Sequence, residues 1–248
     1  MLNKIQKWDD RRDYIIAGDE KETVSFAAEH WIHTAERSIQ QRGRFAVALS
    51  GGSTPKAIFE FLSRNPSALD WTKVWLFWSD ERSVPPDHPD SNFRMAMQSG
   101  IDKLPIPPGQ IFRMKAETDI EKNALDYDEK IRHHLDKHFF DLVMLGVGED
   151  GHTASLFPHT KALAIQNHLA AANFISEKKS WRMTLTFPCI NQSSQIAVYA
   201  LGRSKEIIIP KVLNAAIESP YPSSRIGTPD HKALWILDNQ AGKFLVQP

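Results

Sequence analysis

The sequence predicts an α/β fold in a single domain, a mainly parallel sheet with helices on both faces. Three observations point there. Short apolar runs alternate along the chain with amphipathic stretches of helical period, the order that parallel strands and their crossovers require. Two of those runs, Phe45–Leu49 and Leu142–Leu145, break directly onto glycine-rich turns, as strands do where an α/β sheet opens its binding crevice. At 248 residues and 42% hydrophobic, with seven Trp and thirteen Phe, the chain has the apolar content for one core of ordinary domain size. No repeat, low-complexity tract or linker divides it, so one domain over residues 1–248 is the simplest account.

The elements follow in order. Arg12–Ala17 reads as a short first strand. Asp19 with Glu22 resembles a capping box, and Val24, Ala27, Ala28, Trp31, Ile32, Ala35 and Ile39 keep a 3.6-residue period up to Gly43, which predicts a long amphipathic helix. Phe45–Leu49 is a strand, Ser50–Thr54 a turn, and Pro55 to about Leu62 a helix. Val74–Trp78 is an apolar strand leading into a polar, Pro-rich loop from Ser79 to Asp90. Ser91 caps a helix to Gln98. Asp119–Lys137 reads as a helix with Leu125, Ile131 and Leu135 inward. After the Leu142–Leu145 strand, Leu169–Ile175, Met183–Phe187 and Ile196–Leu201 read as strands. A helix covers Lys205–Ile217, reset at Pro210, and Ala233–Leu237 is the last strand.

Composition excludes several classes of function. Lys plus Arg and Asp plus Glu both number 30, a formal net charge of zero, so no general affinity for nucleic acid or an anionic membrane is expected and any anion site is local. The one cysteine, Cys189, cannot form an internal disulfide, which fits a reducing compartment. Between Pro188 and Ile190 it has a weak case as a nucleophile. The first dozen residues are charged and lack the apolar stretch of a signal peptide, and no run approaches the ~20 residues of a membrane span. The expectation is a soluble, cytoplasmic protein.

The chemistry concentrates in a few turns. Ser50-Gly51-Gly52-Ser53-Thr54-Pro55 leaves a strand, turns on two glycines, offers hydroxyls and enters a helix with Pro at its first position. Backbone N–H groups and the positive helix end then face one point, as a phosphate requires; a simple Thr54 N-cap is the plainer reading. The spacing is not that of a Walker A loop. Gly146-Val147-Gly148-Glu149-Asp150-Gly151-His152 follows the central strand and delivers Asp150 and His152 to the same end of the sheet. Ser79-Asp80-Glu81-Arg82 follows another strand, with two acids and an Arg to orient a hydroxyl, a water or a phosphate. Arg182 and Lys205 each sit beside a strand and can supply cations to a phosphate, Arg as a two-pronged fork and Lys as a point charge.

Three other motifs fail on inspection. Gly146-x-Gly148-x-x-Gly151 fits the dinucleotide fingerprint, but Glu149 and Asp150 would face a pyrophosphate, and Ala170–Phe174 lacks the acid expected about 20 residues later. His133, His134 and His138 share a helix without the H-E-x-x-H pattern or cysteine partners of a zinc site. No G-x-S-x-G elbow marks a serine hydrolase.

Taken together, S-G-G-S-T-P, S-D-E-R, S-N-F-R, G-E-D-G-H-T-A-S-L-F-P and R-M-T-L-T, in this order between about Ser25 and Leu237, resemble the 6-phosphogluconolactonase family. The most specific block is D-G-H-T-A-S-L-F-P at 150–158. The resemblance implies a Rossmann-like α/β domain shared with glucosamine-6-phosphate deaminases. It also implies hydrolysis of 6-phosphoglucono-1,5-lactone, a small sugar-phosphate substrate, with no cofactor and no metal. It implies His152 as catalytic base, Arg82 as a substrate ligand, and Gly51–Thr54, Arg182 and Lys205 around the phosphate, although Glu206 stands where the family often has Ala beside this Lys. Asp80 or Asp150 fixes the imidazole tautomer; the sequence leaves the choice open, as it does the oligomeric state. The related deaminases carry a motif resembling D-G-H-I-A-F-N-E-P, with a Glu five residues after the His. Phe157 stands there in this chain, which favours the lactonase. A non-catalytic sugar-phosphate sensor is the third reading, and an acid–base His argues against it.

Overall fold

The computed structural model describes residues 4–135 and 140–245. The chain opens with a hairpin of β1 (Gln6–Lys7) and β2 (Arg12–Ile16). Next come α1 (Glu20–Arg42), β3 (Phe45–Leu49), α2 (Ser53–Arg64) and β4 (Val74–Trp78). β5 (Asp80–Arg82), α3 (Asn92–Gln98), α4 (Ile120–His134) and β6 (Leu142–Gly146) follow. The last third holds β7 (Ala170–Ile175), β8 (Ser180–Leu185), α5 (Phe187–Asn191), β9 (Ile196–Ala200), α6 (Ile208–Leu213) and β10 (Ala233–Leu237).

Among the described residues the strands form two sheets. The larger has the order β1-β2-β10-β9-β6-β3-β4, parallel throughout except for the β1–β2 edge. β10 lies between β2 and β9, with Ala233 level with Arg12 on one side and with Ile196 on the other. Every residue of β3 and β9 is buried, as in strands covered on both faces. Parallel partners in register share a face. Phe45 and Leu49 therefore point with Val74 and Trp78, and Ala48 points with Phe77 to the other side. On the first side Trp31 of α1 meets Phe45 edge-on at 4.9 Å and stacks on Trp71 at 5.7 Å. On the second, Phe77 packs against Tyr127 of α4 at 6.1 Å and Phe140 at 5.3 Å. Helices cover both faces, as predicted.

Local chemistry sets the element ends. The Asp19 carboxylate accepts from Glu22 N–H (2.8 Å), and the Glu22 carboxylate accepts from Asp19 N–H (2.9 Å). Gly43 closes α1 in the left-handed region at φ 74°, where only glycine is unstrained. Arg42 then pairs with the buried Asp141, which also accepts from Ala46 N–H at 2.7 Å, tying the end of α1 to β3 and to the residue before β6. Burial pushes the Asp141 carboxyl up; Ala46 N–H and Arg42 pull the other way.

Five expectations need correction. Asp80–Arg82 is not loop but β5, paired with β8 in a three-stranded antiparallel sheet ordered β5-β8-β7; three polar residues give no strand signal. α2 starts at Ser53, so Pro55 is its third residue rather than its first, still within the turn whose N–H groups have no helical partner. On α4, Leu125 is 48% exposed while Ile131 and Leu135 are buried, and Lys137 lies outside the described residues. β8 ends at Leu185, because Thr186 caps α5 and puts Phe187 in that helix. The Lys205–Ile217 helix shrinks to Ile208–Leu213, with Pro210 in its first turn and Lys205 in a 3₁₀ turn.

The sheet order decides where a ligand sits. From β3 the chain goes to β4 on one side, whereas β6, β9 and β10 extend on the other. The connections leaving β3 and β6 thus diverge, and a crevice opens at their carboxyl ends.

Candidate active site

A cleft of about 280 Å³ occupies that crevice, and each wall comes from the end of a different strand. After β3, Ser50–Pro55 form the first wall. Gly52 occupies the helix N-cap position at φ 106°, and no side chain caps α2, so its first N–H groups remain to serve a ligand. A Cβ at Gly51 would come within 2.0 Å of Asn92 Oδ1, so a larger residue there would displace that side chain. Asn92 in turn donates through Nδ2 to Asp80 Oδ1 (3.0 Å) and to its carbonyl (2.9 Å).

The second wall follows β4. Ser79 joins the two sheets, donating to Leu49 O and accepting from Leu185 N–H, each at 2.8 Å. Asp80 and Arg82 then line the cleft. Asp80 is buried, its Oδ2 accepting from Ser155 Oγ at 2.6 Å. Glu81 faces inward instead and accepts from Asn92 N–H and Phe93 N–H (both 2.8 Å) and from Ser91 Oγ (3.0 Å). It caps α3, and burial pushes its carboxyl up.

The third wall is the loop after β6. Asp150 Oδ1 lies 2.5 Å from His152 Nδ1 and also accepts from His152 N–H at 3.1 Å. Burial pushes the Asp150 carboxyl up, but the hydrogen bond and charge of His152 outweigh it, and the net lies below the usual range. An ionised Asp150 makes Nδ1 the protonated nitrogen and leaves the free lone pair on Nε2. His152 lines the cleft. Gly148 packs so closely that a Cβ would meet Nδ1 at 2.0 Å, and Ala154, also on the cleft wall, sits in the left-handed region at φ 46°. The final wall is the end of β9 and the turn after it, with Tyr199, Leu201 and Lys205.

The structure therefore brings together Ser50–Thr54, Asp80, Arg82, His152 and Lys205, with Asp150 behind the imidazole. Asp80 bonds Asn92 and Ser155 rather than His152. Arg182 is not on the cleft wall. It stands opposite Arg82 in the β5–β8 ladder and donates to Ser180 Oγ (2.6 Å) and Trp181 O (3.0 Å). Burial, then the charge of Arg82, lowers its pKa from the usual arginine value. Glu206 faces Arg203 (3.7 Å) and Lys243 (3.9 Å), and among the described residues no carboxylate pairs with Lys205.

Other sequence readings have their places too. No helix follows β6 before Lys161, so the dinucleotide fingerprint lacks the helix N-terminus it needs. His134 packs at 4.5 Å on Phe112 and 5.4 Å on Trp75, and His138 lies outside the described residues. Cys189 is buried, and burial pushes its thiol up, which removes it as a nucleophile. Among the described residues no helix is long and apolar enough to cross a membrane. Asn92, Ser155 and Tyr199 were not singled out from sequence. The first two lie inside the S-N-F-R and D-G-H-T-A-S-L-F-P blocks, whereas Tyr199 in an apolar strand gives no signal.

Residues 18–235 match the family model described as glucosamine-6-phosphate isomerases/6-phosphogluconolactonase. The chain belongs to this family. The 6-phosphogluconolactonase of Chlamydia muridarum is 39% identical over 231 residues, covering 93% of this chain and 89% of that one. That of Synechocystis sp. is 39% identical over 215 residues, 84% of this chain and 88% of its own. A solved 6-phosphogluconolactonase from Trypanosoma cruzi superposes with a TM-score of 0.85 at 26% identity, over 99% of this chain and 98% of that one. The ring of Phe157 stacks on His152 with centroids 3.9 Å apart.

Proposed function

We propose that this chain is a 6-phosphogluconolactonase, hydrolysing 6-phospho-D-glucono-1,5-lactone to 6-phospho-D-gluconate as the lactone-opening step of the oxidative pentose phosphate pathway, within one catalytic domain. The observation that carries the reading is an imidazole held at Nδ1 by a carboxylate, open at Nε2, and flanked by an apolar ring where a deaminase-type motif has a second carboxylate. Such a centre can activate water but lacks the extra proton carrier that opening and deaminating an amino sugar needs.

The phosphate is held by N–H groups at the start of α2, with Lys205 and Arg82 neutralising it. Arg82 and Arg182 face each other across β5 and β8; like charges so placed repel, and a bound anion relieves that repulsion. With the phosphate fixed, the lactone carbonyl lies against His152. Nε2 takes a proton from water as the oxygen attacks C1, and Asp150 stabilises the imidazolium. Loop N–H groups receive the oxyanion. Collapse breaks the C1–ring-oxygen bond, and the proton returns from Nε2 to the leaving alkoxide.

The test is coupled hydrolysis of freshly generated 6-phosphogluconolactone against its spontaneous background. Wild type accelerates it, and His152→Ala loses about 10²–10⁴-fold in kcat with KM changed far less, the range for a general base. A His152→Ala protein with wild-type kcat would remove His152 from the mechanism.

A further inference from the structure

The cluster around His152 contains one side chain to which the reaction above gives no positive task. Phe157 is 5% exposed, and its ring lies face to face with the imidazole, planes 16° from parallel. The Lys178 ammonium, from the turn between β7 and β8, stands 5.6 Å from the same ring's centroid. The backbone beneath is fixed as well: Thr160 N–H and Oγ1 both donate to Phe157 O, at 3.3 and 2.7 Å.

We propose that Phe157 is a positioning residue for His152, setting the plane of the imidazole while Asp150 sets its tautomer. The inference rests on the lactonase reading. Asp150 grips the ring at one atom, and one hydrogen bond leaves a planar ring free to swing about it. A swing of roughly 30° carries Nε2 through about 1 Å, and a misplacement of that size costs on the order of 10²-fold in rate. Asp150 cannot supply the missing restraint, because its side chain is 39% exposed on a glycine-flanked loop. Phe157 can. A face-to-face contact is lost when either ring tilts, and the buried ring has no room to follow. Replacing a carboxylate at this position therefore does more than remove a proton carrier: it exchanges a mobile, charged neighbour for a flat, neutral wall.

The experiment compares Phe157→Leu, which keeps apolar bulk and loses the flat face, with Phe157→Tyr, which keeps the face. Expected for Leu is a kcat lower by about 10–100-fold, with KM for 6-phosphogluconolactone and inhibition by 6-phosphogluconate within about twofold of wild type. Tyr recovers most of that kcat. NMR relaxation of the His152 ring, read without turnover, shows a rigid imidazole in wild type and Tyr and a mobile one in Leu. Wild-type kcat in Leu, an equal loss in Leu and Tyr, or an imidazole as rigid in Leu as in wild type overturns the inference. A wild type with no lactonase activity but the same NMR contrast overturns the functional reading and leaves the positioning role standing.

Discussion

At the scale of single residues, the two arginines of the β5–β8 ladder make different demands on an experiment. Arg82 reaches the cleft, and Arg182 spends its donors on Ser180 and Trp181. Arg82→Ala should therefore raise KM by about 10–100-fold, the worth of a charged hydrogen bond at 1.5–3 kcal/mol, and weaken competition by inorganic phosphate in step. Arg182→Ala should change KM only a few-fold. Equal effects would mean that Arg182 swings into the cleft when the anion binds. Asp150→Asn offers an amide N–H to Nδ1, which forces the proton onto Nε2 and removes the base; kcat should fall roughly 10²-fold or more while KM holds. His152, Asp80, Arg82, Lys205 and the Ser50–Thr54 turn were legible because each lies in the turn after an apolar run, and chain order alone then delivers it to the carboxyl edge. Which carboxylate serves His152 was not legible: both follow strands, and only the fold turns Asp80 toward Asn92 and Ser155.

Among the elements, α1 carries a pH dependence of its own. His30 lies in this helix with its Nδ1 buried and unbonded, and burial, with a smaller push from His33, lowers its pKa from 6.5 to about 4. The unfolded chain therefore binds a proton between those values that the folded chain refuses. Stability is complete above pH 6.5 and drains away as the pH falls toward 4, by roughly 2 kcal/mol after discounting for residual contact with water. Equilibrium denaturation of wild type and His30→Leu at pH 7 and pH 4.5 isolates the contribution: the gap between them should widen in favour of Leu at the lower pH, and a constant gap refutes it. Element legibility followed burial. Continuous apolar strands such as β3 and β9 declare themselves, and so does a helix with a 3.6-residue stripe. β5 does not, because Asp-Glu-Arg is strand only by virtue of the β8 edge that pairs with it. Leu125 misled for a related reason: a helix stripe names a face, and the covering layer decides how wide that face is.

For the whole molecule, alternation of strand and helix was enough to predict the parallel sheet and its two helical layers, but not the strand order. Neither the insertion of β10 beside β2 nor the second, antiparallel sheet leaves a mark on any local window, since both depend on pairings far apart in the chain. That insertion has a consequence for how the protein is made. Among the described residues β2 joins the parallel sheet only through β10, more than two hundred residues later, and at roughly 5–20 residues per second a ribosome leaves the opening hairpin waiting for about 10–40 s. Throughout that wait β2 exposes an edge meant for the absent strand, the kind of edge that invites pairing between chains. Nascent chains arrested just before Ala233 should be protease-sensitive and bind chaperones, and those carrying β10 clear of the exit tunnel should become resistant in one step. Resistance gained earlier would mean that the remaining strands close on themselves without their last member.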